Sequence, residues 1–147
     1  MNDDAIRAAD IARGTLRLLG EHGYAAIKEF TLGSGRRADL AALDAQGRLL
    51  IVEIKSCRAD FLSDQKWRSY LDYCDAFAFA VAPDFPQDLL PAETGLIIAD
   101  RYGGHFMRRP YERVLNASRR KAEILRFART AAQRLVTLDA PPAATDH

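Results

Sequence analysis

Two stretches decide the fold of this 147-residue chain: Arg37-Ala38-Asp39-Leu40-Ala41-Ala42-Leu43 and Leu49-Leu50-Ile51-Val52-Glu53-Ile54-Lys55-Ser56. Each is short, apolar and bounded by turn signals, so the pattern predicts strands over 37–43 and 49–54. The loop between them contains Gly47, and glycine suits the left-handed residue that ends a three-residue hairpin loop. The two strands are therefore predicted to form an antiparallel hairpin in which Asp44 lies opposite Arg48.

This hairpin register determines where the charged residues lie. Asp39 precedes Asp44 by five residues, and Glu53 follows Arg48 by five, so the two acids are predicted to face each other. Residues directly opposite in an antiparallel pair have Cβ atoms about 4.5–5.5 Å apart, and like charges there are destabilising. Lys55 lies two residues beyond Glu53 and projects from the same face. One face of the sheet is thus expected to carry Asp39, Glu53 and Lys55 together.

Charged side chains inside apolar strands need a partner, because burying an unpaired charge costs stability. Two facing carboxylates suit a hard divalent cation, Mg²⁺ or Mn²⁺, which takes oxygen ligands and keeps several waters. An adjacent ammonium can stabilise charge that develops on a phosphate. The alternative is a plain salt-bridge network in which Lys55 neutralises one carboxylate. The buried setting favours the metal site, and with it phosphodiester chemistry.

Length and composition are those of one globular domain. The chain is 48% hydrophobic and 28% charged, as is usual for soluble proteins. We expect a domain over residues 1–138 and a disordered tail over 139–147, where Pro141-Pro142 occurs. The two cysteines, Cys57 and Cys74, form no disulfide framework, and the acidic N-terminus is not a signal peptide. No apolar run is long enough to span a membrane. A cytoplasmic protein without membrane contact is therefore expected.

The net charge of +1 conceals an uneven distribution along the chain. Residues 101–135 contain ten Arg or Lys against two Glu, which is a charge of +8, so the rest of the chain carries −7. A basic segment in an otherwise acidic chain is a candidate contact for a phosphate backbone. A solvated helix face is the other interpretation, since Arg-rich helices are common.

The remaining pattern places the hairpin in a larger sheet. Apolar periodicity predicts, in order, a helix over 3–22, a strand over 24–32, a helix beginning near Ser63, strands over 76–82, 95–99 and 105–107, and a helix over 112–136. This order predicts an α/β fold with a mixed sheet flanked by helices on both faces. The strand that contains Phe77 is expected to run parallel to a strand already in place, with the first strand as the expected partner.

A carboxylate on the second core strand followed by Glu-x-Lys on the third resembles the PD-(D/E)XK nuclease superfamily, which has a restriction-endonuclease-like fold. Arg37-Ala38-Asp39 stands at the family's Pro-Asp position, with Ala38 in place of proline, and Glu53-Ile54-Lys55 matches its Glu-x-Lys. Gln65 and Tyr70 resemble the additional Gln/Tyr motif of RecB-like members. Over nearly the whole chain, including Gly23-Tyr24 and Val52 to Ser56, the pattern is similar to the MmcB family of bacterial DNA-repair proteins.

The resemblance implies a role for each matching residue. Asp39, Glu53 and the carbonyl of Ile54 would bind the metal, and Lys55 would position or activate the attacking water. Many members carry a further upstream carboxylate, for which Glu29 is the candidate here. Gln65 joins the catalytic candidates, either touching DNA or orienting Lys55, although a solvated helix face explains it equally well. The nucleic-acid contacts expected near the site are Arg36, Arg37 and Lys66.

The expected function is a Mg²⁺- or Mn²⁺-dependent DNA nuclease that acts in repair. One alternative is a nuclease-fold DNA-binding or scaffold module with little or no catalysis. Another is a nucleotide- or RNA-processing enzyme that uses the same metal site, and the chain has no P-loop glycine pattern that would indicate an NTPase. DNA is the expected partner, and the family makes a homodimer and other DNA-repair proteins further candidates.

Overall fold

The computed structural model describes residues 3–63 and 66–143 and contains one six-stranded mixed sheet. The strands lie in chain order from β1 at one edge to β6 at the other. The elements are α1 (Asp3–Glu21), β1 (Ala25–Thr31), β2 (Arg37–Leu43), β3 (Leu49–Lys55), α2 (Arg58–Ser63), a 3₁₀ helix (Trp67–Tyr73), β4 (Ala76–Val81), a short 3₁₀ turn (Gln87–Leu89), β5 (Gly95–Asp100), β6 (Gly103–Arg108) and α3 (Ala117–Asp139).

The β2–β3 hairpin has the predicted register. Leu40 pairs with Val52 and Leu43 with Leu49, and the amide of Asp44 donates to the carbonyl of Arg48 at 3.1 Å. Gly47 adopts a φ of 79°, the left-handed conformation that the loop requires. The turn chemistry of five residues thus sets the alignment of both strands that lead to the acidic pair.

Helices cover both faces of the sheet, which confirms the predicted α/β arrangement. On one face, Ile11, Leu18 and Leu19 of α1 pack against apolar residues of β2 to β5. On the other, Trp67 and Tyr70 of the 3₁₀ helix and Phe127 of α3 pack against Ile51, Phe77, Phe79 and their neighbours. No helix among residues 3–63 and 66–143 is both long and apolar enough to cross a membrane.

The position predicted for the Phe77 strand was wrong. This strand, β4, lies parallel to β3 and beside it, with Ile51 opposite Phe77, whereas β1 is at the far edge of the sheet. The crossover between β3 and β4 is short, and a short parallel connection returns the chain beside the strand it has just left.

The helix predicted to begin near Ser63 is a 3₁₀ helix that begins at Trp67, and a six-residue α2 that was not predicted precedes it and ends at Ser63. Trp67 and Tyr70 are its buried residues, and this three-residue spacing fits a 3₁₀ helix, which has three residues per turn. Gln65, one of the catalytic candidates, lies outside the described residues.

The last helix begins at Ala117 rather than at residue 112. Its start is set by Asn116, whose side chain accepts hydrogen bonds from the amides of Ser118 and Arg119. Apolar periodicity would place Leu135 on the same buried stripe as Phe127, but Leu135 is 64% exposed. Asp139, the first residue of the predicted tail, is the last helical residue, and residues 144–147 lie outside the described part of the chain.

Candidate metal and nucleic-acid site

The ends of β2 and β3 bring the two predicted acids into contact. The carboxylate of Asp39 accepts a hydrogen bond from the amide of Ile54 at 2.8 Å, and it lies close enough to Glu53 to raise the pKa of that carboxyl group. Lys55 follows on the same strand, and Glu53 and Lys55 are only 5% and 6% exposed. The predicted juxtaposition of Asp39, Glu53 and Lys55 is therefore present in the folded chain.

Burial, reinforced by the nearby carboxyl group of Asp39, raises the pKa of Glu53 to about 9. The Tyr70 hydroxyl and the Lys55 ammonium act in the opposite direction without offsetting this shift. Glu53 is therefore protonated near neutral pH in the metal-free protein. A buried carboxyl group whose pKa is raised by burial and by a neighbouring carboxyl group is a recurrent feature of functional sites.

The acidic pair has the donor set that a divalent metal ion needs. Glu53 Oε1 is buried and has no hydrogen-bond partner, which is uncommon for a polar atom inside a folded protein. A cation bound there would satisfy this oxygen and displace the proton of Glu53. Mg²⁺ often binds through only one or two carboxylates and keeps waters at its other positions. Asp39 and Glu53 would hold the ion, and the adjacent carbonyl of Ile54 belongs to the same donor set.

The pair lies in a groove between the sheet and α1. Its polar lining consists of Arg13 from α1, Lys28 and Glu29 from β1, Asp60 from α2, and the residues Asp39, Glu53 and Lys55; the rest is Ala8, Ala9, Ala12, Leu16 and Ile54. Glu29, the candidate third carboxylate, thus shares the groove with the acidic pair. Within residues 3–63 and 66–143, however, no three His, Cys, Asp or Glu side chains converge as a metal-binding group.

The groove contains basic residues that the sequence interpretation did not select. Arg13 and Lys28 line it, whereas the predicted nucleic-acid contacts Arg36, Arg37 and Lys66 are not among its described lining residues. The missed signal was spatial, since α1 passes over the ends of β2 and β3 and no local pattern in the sequence shows this. In the sequence, Ala8, Ala9 and Ala12 recur at helical spacing. This pattern indicates a small-residue face of α1 that leaves room for the groove, with Arg13 beside it.

Much of the basic segment 101–135 is used inside the fold. Arg108 donates to the carbonyls of Pro91 and Thr94, and Arg119 donates to the carbonyl of Asp72. Arg120 forms an ion pair with the buried Asp75. The charge excess of this segment therefore does not by itself form a nucleic-acid surface, and the basic residues of the groove become the better candidates.

The backbone is irregular where the groove meets β1. Lys28 pairs with Leu40 and Phe30 with Ala38, but the intervening position, Glu29 opposite Asp39, is unpaired. Glu29 has a φ of 52° and is the one non-glycine residue with positive φ in the described chain. Phe30 and Ile27, three residues apart, pack into the same cluster, although residues three apart in a regular strand face opposite sides. Such bulge-like irregularities are frequent next to active sites.

Comparisons with known proteins agree with the resemblance. The family model described as "DNA repair protein MmcB-like" matches residues 3–142. A solved structure, described as the SPO1766 protein of unknown function from Silicibacter pomeroyi, is 42% identical in sequence, with a TM-score of 0.89 over 95% of each chain. No protein with curated function matches the chain. The chain belongs to the MmcB-like family.

Proposed function

We propose that this protein is a metal-dependent DNA nuclease that acts in DNA repair. The observation that carries the proposal is the contact between the carboxyl groups of Asp39 and Glu53, with Lys55 buried two residues away, in a groove open to solvent. The family description supplies the repair context. The buried oxygen of Glu53 that has no partner supports Mg²⁺ or Mn²⁺ as the cofactor.

Each groove residue has a distinct task in this proposal. Arg13 and Lys28 bind phosphates of the DNA backbone and align the scissile bond over the acidic pair. Lys55 donates a hydrogen bond to the phosphate or to the attacking water as charge develops on the phosphate oxygens. Asp39 stays oriented by the amide of Ile54. The divalent ion, when bound, supplies positive charge to the phosphate and lowers the pKa of water.

The proposal is tested by cleavage assays with Mg²⁺ or Mn²⁺ on single-stranded, duplex and branched DNA. We expect Asp39→Asn and Lys55→Ala to lower the cleavage rate by about 100-fold or more, as for other charge-stabilising groups. Matched controls are Asp72→Asn and Lys121→Ala, which change exposed residues outside the groove. Cleavage that survives unchanged in Lys55→Ala would exclude the role given to this residue.

Two observations favour a second candidate, a nuclease-fold module that binds DNA with little or no catalysis. The described residues contain no group of three metal-binding side chains, and Glu53 is protonated near neutral pH without metal. Such a module would bind DNA in EDTA, and Asp39→Asn would leave its function in cells intact. Adding RNA and mononucleotides to the substrate panel distinguishes both candidates from an enzyme that processes nucleotides or RNA.

A further inference from the structure

The carboxyl-terminal half of α3 makes a contact with the candidate site that no family motif includes. The guanidinium group of Arg134 donates hydrogen bonds to the carbonyls of Lys28 and Glu29, the latter at 2.6 Å. These two residues line the groove, and they belong to β1, the edge strand of the sheet. The carbonyls on the outer side of an edge strand have no neighbouring strand to bond, so Arg134 takes the place of that strand.

The Arg134 contact is part of one stripe of α3 that follows β1. Glu123 accepts a hydrogen bond from the amide of Gly33 at 2.8 Å, and Phe127 packs edge to face on Phe30 at 5.8 Å. Arg134 lies two helical turns beyond Phe127, on the same side of the helix. The three contacts hold the strand on both sides of the irregular position at Glu29.

The conformation held by Arg134 bears directly on Asp39. The backbone of Glu29 is left-handed, and this conformation is unfavourable for a residue with a Cβ unless its surroundings stabilise it. Its position lies opposite Asp39, and neither residue is paired in the β1–β2 ladder. The β2–β3 pairing also ends at Leu40 and Val52, and just beyond it the Asp39 carboxylate accepts the amide of Ile54 and lies near Glu53.

We propose that Arg134 is a positioning residue for the acidic pair. Arg134 fixes the left-handed backbone at Glu29, and this conformation interrupts the β1–β2 ladder opposite Asp39. The interruption lets the Asp39 carboxylate lie against Ile54 and Glu53. The proposal rests on the proposed metal-dependent function for its consequence in catalysis, but its structural part stands independently. The last helix is then a working part of the site rather than only a cover of the sheet.

The test uses amide hydrogen exchange by NMR together with Mn²⁺ binding, on the full chain. In Arg134→Ala we expect the exchange of the Ile54 amide to rise at least 10-fold, while amides of β5 exchange as in wild type. Mn²⁺ affinity is expected to fall at least 10-fold. Arg129→Ala, which removes an exposed arginine of the same helix, is the matched control and should change neither quantity.

Glycine at position 29 separates positioning from general support of the fold. Glycine adopts a positive φ without the Cβ penalty, so Glu29→Gly combined with Arg134→Ala should slow the Ile54 exchange again relative to Arg134→Ala alone. Should Arg134→Ala be too unstable to study, Arg134→Lys replaces it, because a single ammonium cannot bond both carbonyls as the guanidinium group does. The Ile54 amide of Arg134→Lys should exchange faster than that of wild type and faster than that of Arg134→Ala/Glu29→Gly.

The outcomes are distinguishable from those of the proposed function. Ile54 exchange that is unchanged in Arg134→Ala, or a double variant no better than Arg134→Ala, overturns the positioning role. If wild-type protein does not bind Mn²⁺, or if Asp39→Asn does not abolish that binding, the metal site is overturned. The exchange measurement still decides the role of Arg134 in that case.

Discussion

At the scale of single residues, Glu53 is held where its charged form is unfavourable. Glu53 is buried, one of its oxygens has no partner, and its pKa is raised to about 9 by burial and by Asp39. The unfolded chain has a Glu pKa near 4.5. The folded protein therefore binds more protons than the unfolded chain between these values, and its stability falls as the pH rises through this window.

This difference predicts the pH dependence of stability in the metal-free protein. Wild type should lose stability steadily from pH 5 to pH 9 in EDTA, and Glu53→Gln should remove most of this slope. Each pKa unit corresponds to about 1.4 kcal/mol, so we expect Glu53→Gln to raise the free energy of unfolding at pH 8 by about 2–4 kcal/mol. Urea denaturation across the pH range measures it, with Asp72→Asn as control. Parallel curves for wild type and Glu53→Gln would contradict the raised pKa.

The groove arginine and lysine should carry the salt-dependent part of DNA binding. We expect Arg13→Ala and Lys28→Ala each to weaken DNA binding and to lower the slope of log affinity against log salt by about 1. Lys121→Ala removes an exposed charge of the basic segment in α3 and should change the slope less. Fluorescence anisotropy at several salt concentrations measures the slopes. A larger effect for Lys121→Ala would place the DNA on α3 instead of the groove.

At the scale of elements, the position of α1 forms one wall of the groove, and a single glycine lets the helix approach the sheet. A Cβ at Gly14 would lie 1.8 Å from the carbonyl oxygen of Asp100 and 2.6 Å from that of Gly103. Both atoms are backbone at the turn between β5 and β6, so neither can move aside as a flexible side chain would. The close contact also sets where Arg13, the next residue back, meets the groove.

Gly14→Ala is accordingly expected to destabilise the protein by about 3 kcal/mol, because α1 must shift away from the sheet. Gly20→Ala in the same helix is the matched control. A Cβ there meets nothing within 4 Å, so alanine should stabilise the protein by about 0.5–1 kcal/mol through its better helix propensity. Thermal or urea denaturation measures both. Equal effects of the two substitutions would refute the close approach at Gly14.

At the scale of the whole molecule, Asp75 joins segments that are distant in sequence. Its carboxylate accepts the amide of Leu49 at the start of β3 and the amide of Leu115 before α3. It also pairs with Arg120 of α3 through two hydrogen bonds. Asp75 is 2% exposed, so this buried carboxylate couples the hairpin, the crossover and the last helix.

We expect Asp75→Ala to cost about 3–5 kcal/mol, because it leaves the guanidinium of Arg120 and two amides without their partner. Asp72→Ala, an exposed acid three residues earlier, should change stability by less than about 0.5 kcal/mol. Chemical denaturation followed by circular dichroism measures both. A loss confined to α3, with the sheet still protected in hydrogen exchange, would argue against the coupling.

The sequence determined the local parts of this fold, because those parts depend on neighbouring residues. Apolar alternation located the strands, and the turn around Gly47 set a hairpin register that placed Asp39 beside Glu53, as the structure confirms. The stripe of Ile11, Leu18 and Leu19 likewise identified α1. Turn chemistry and side-chain period act over a few residues and can be recognised directly from the chain.

The tertiary structure decided what depends on packing between distant segments. It put β4 beside β3, gave the segment of Trp67 and Tyr70 a 3₁₀ rather than an α-helical form, and brought Arg13 into the groove. It also set the left-handed Glu29, whose carbonyl is held by an arginine 105 residues away. A backbone conformation that is unfavourable locally persists only where a remote contact stabilises it, and no local pattern specifies that contact.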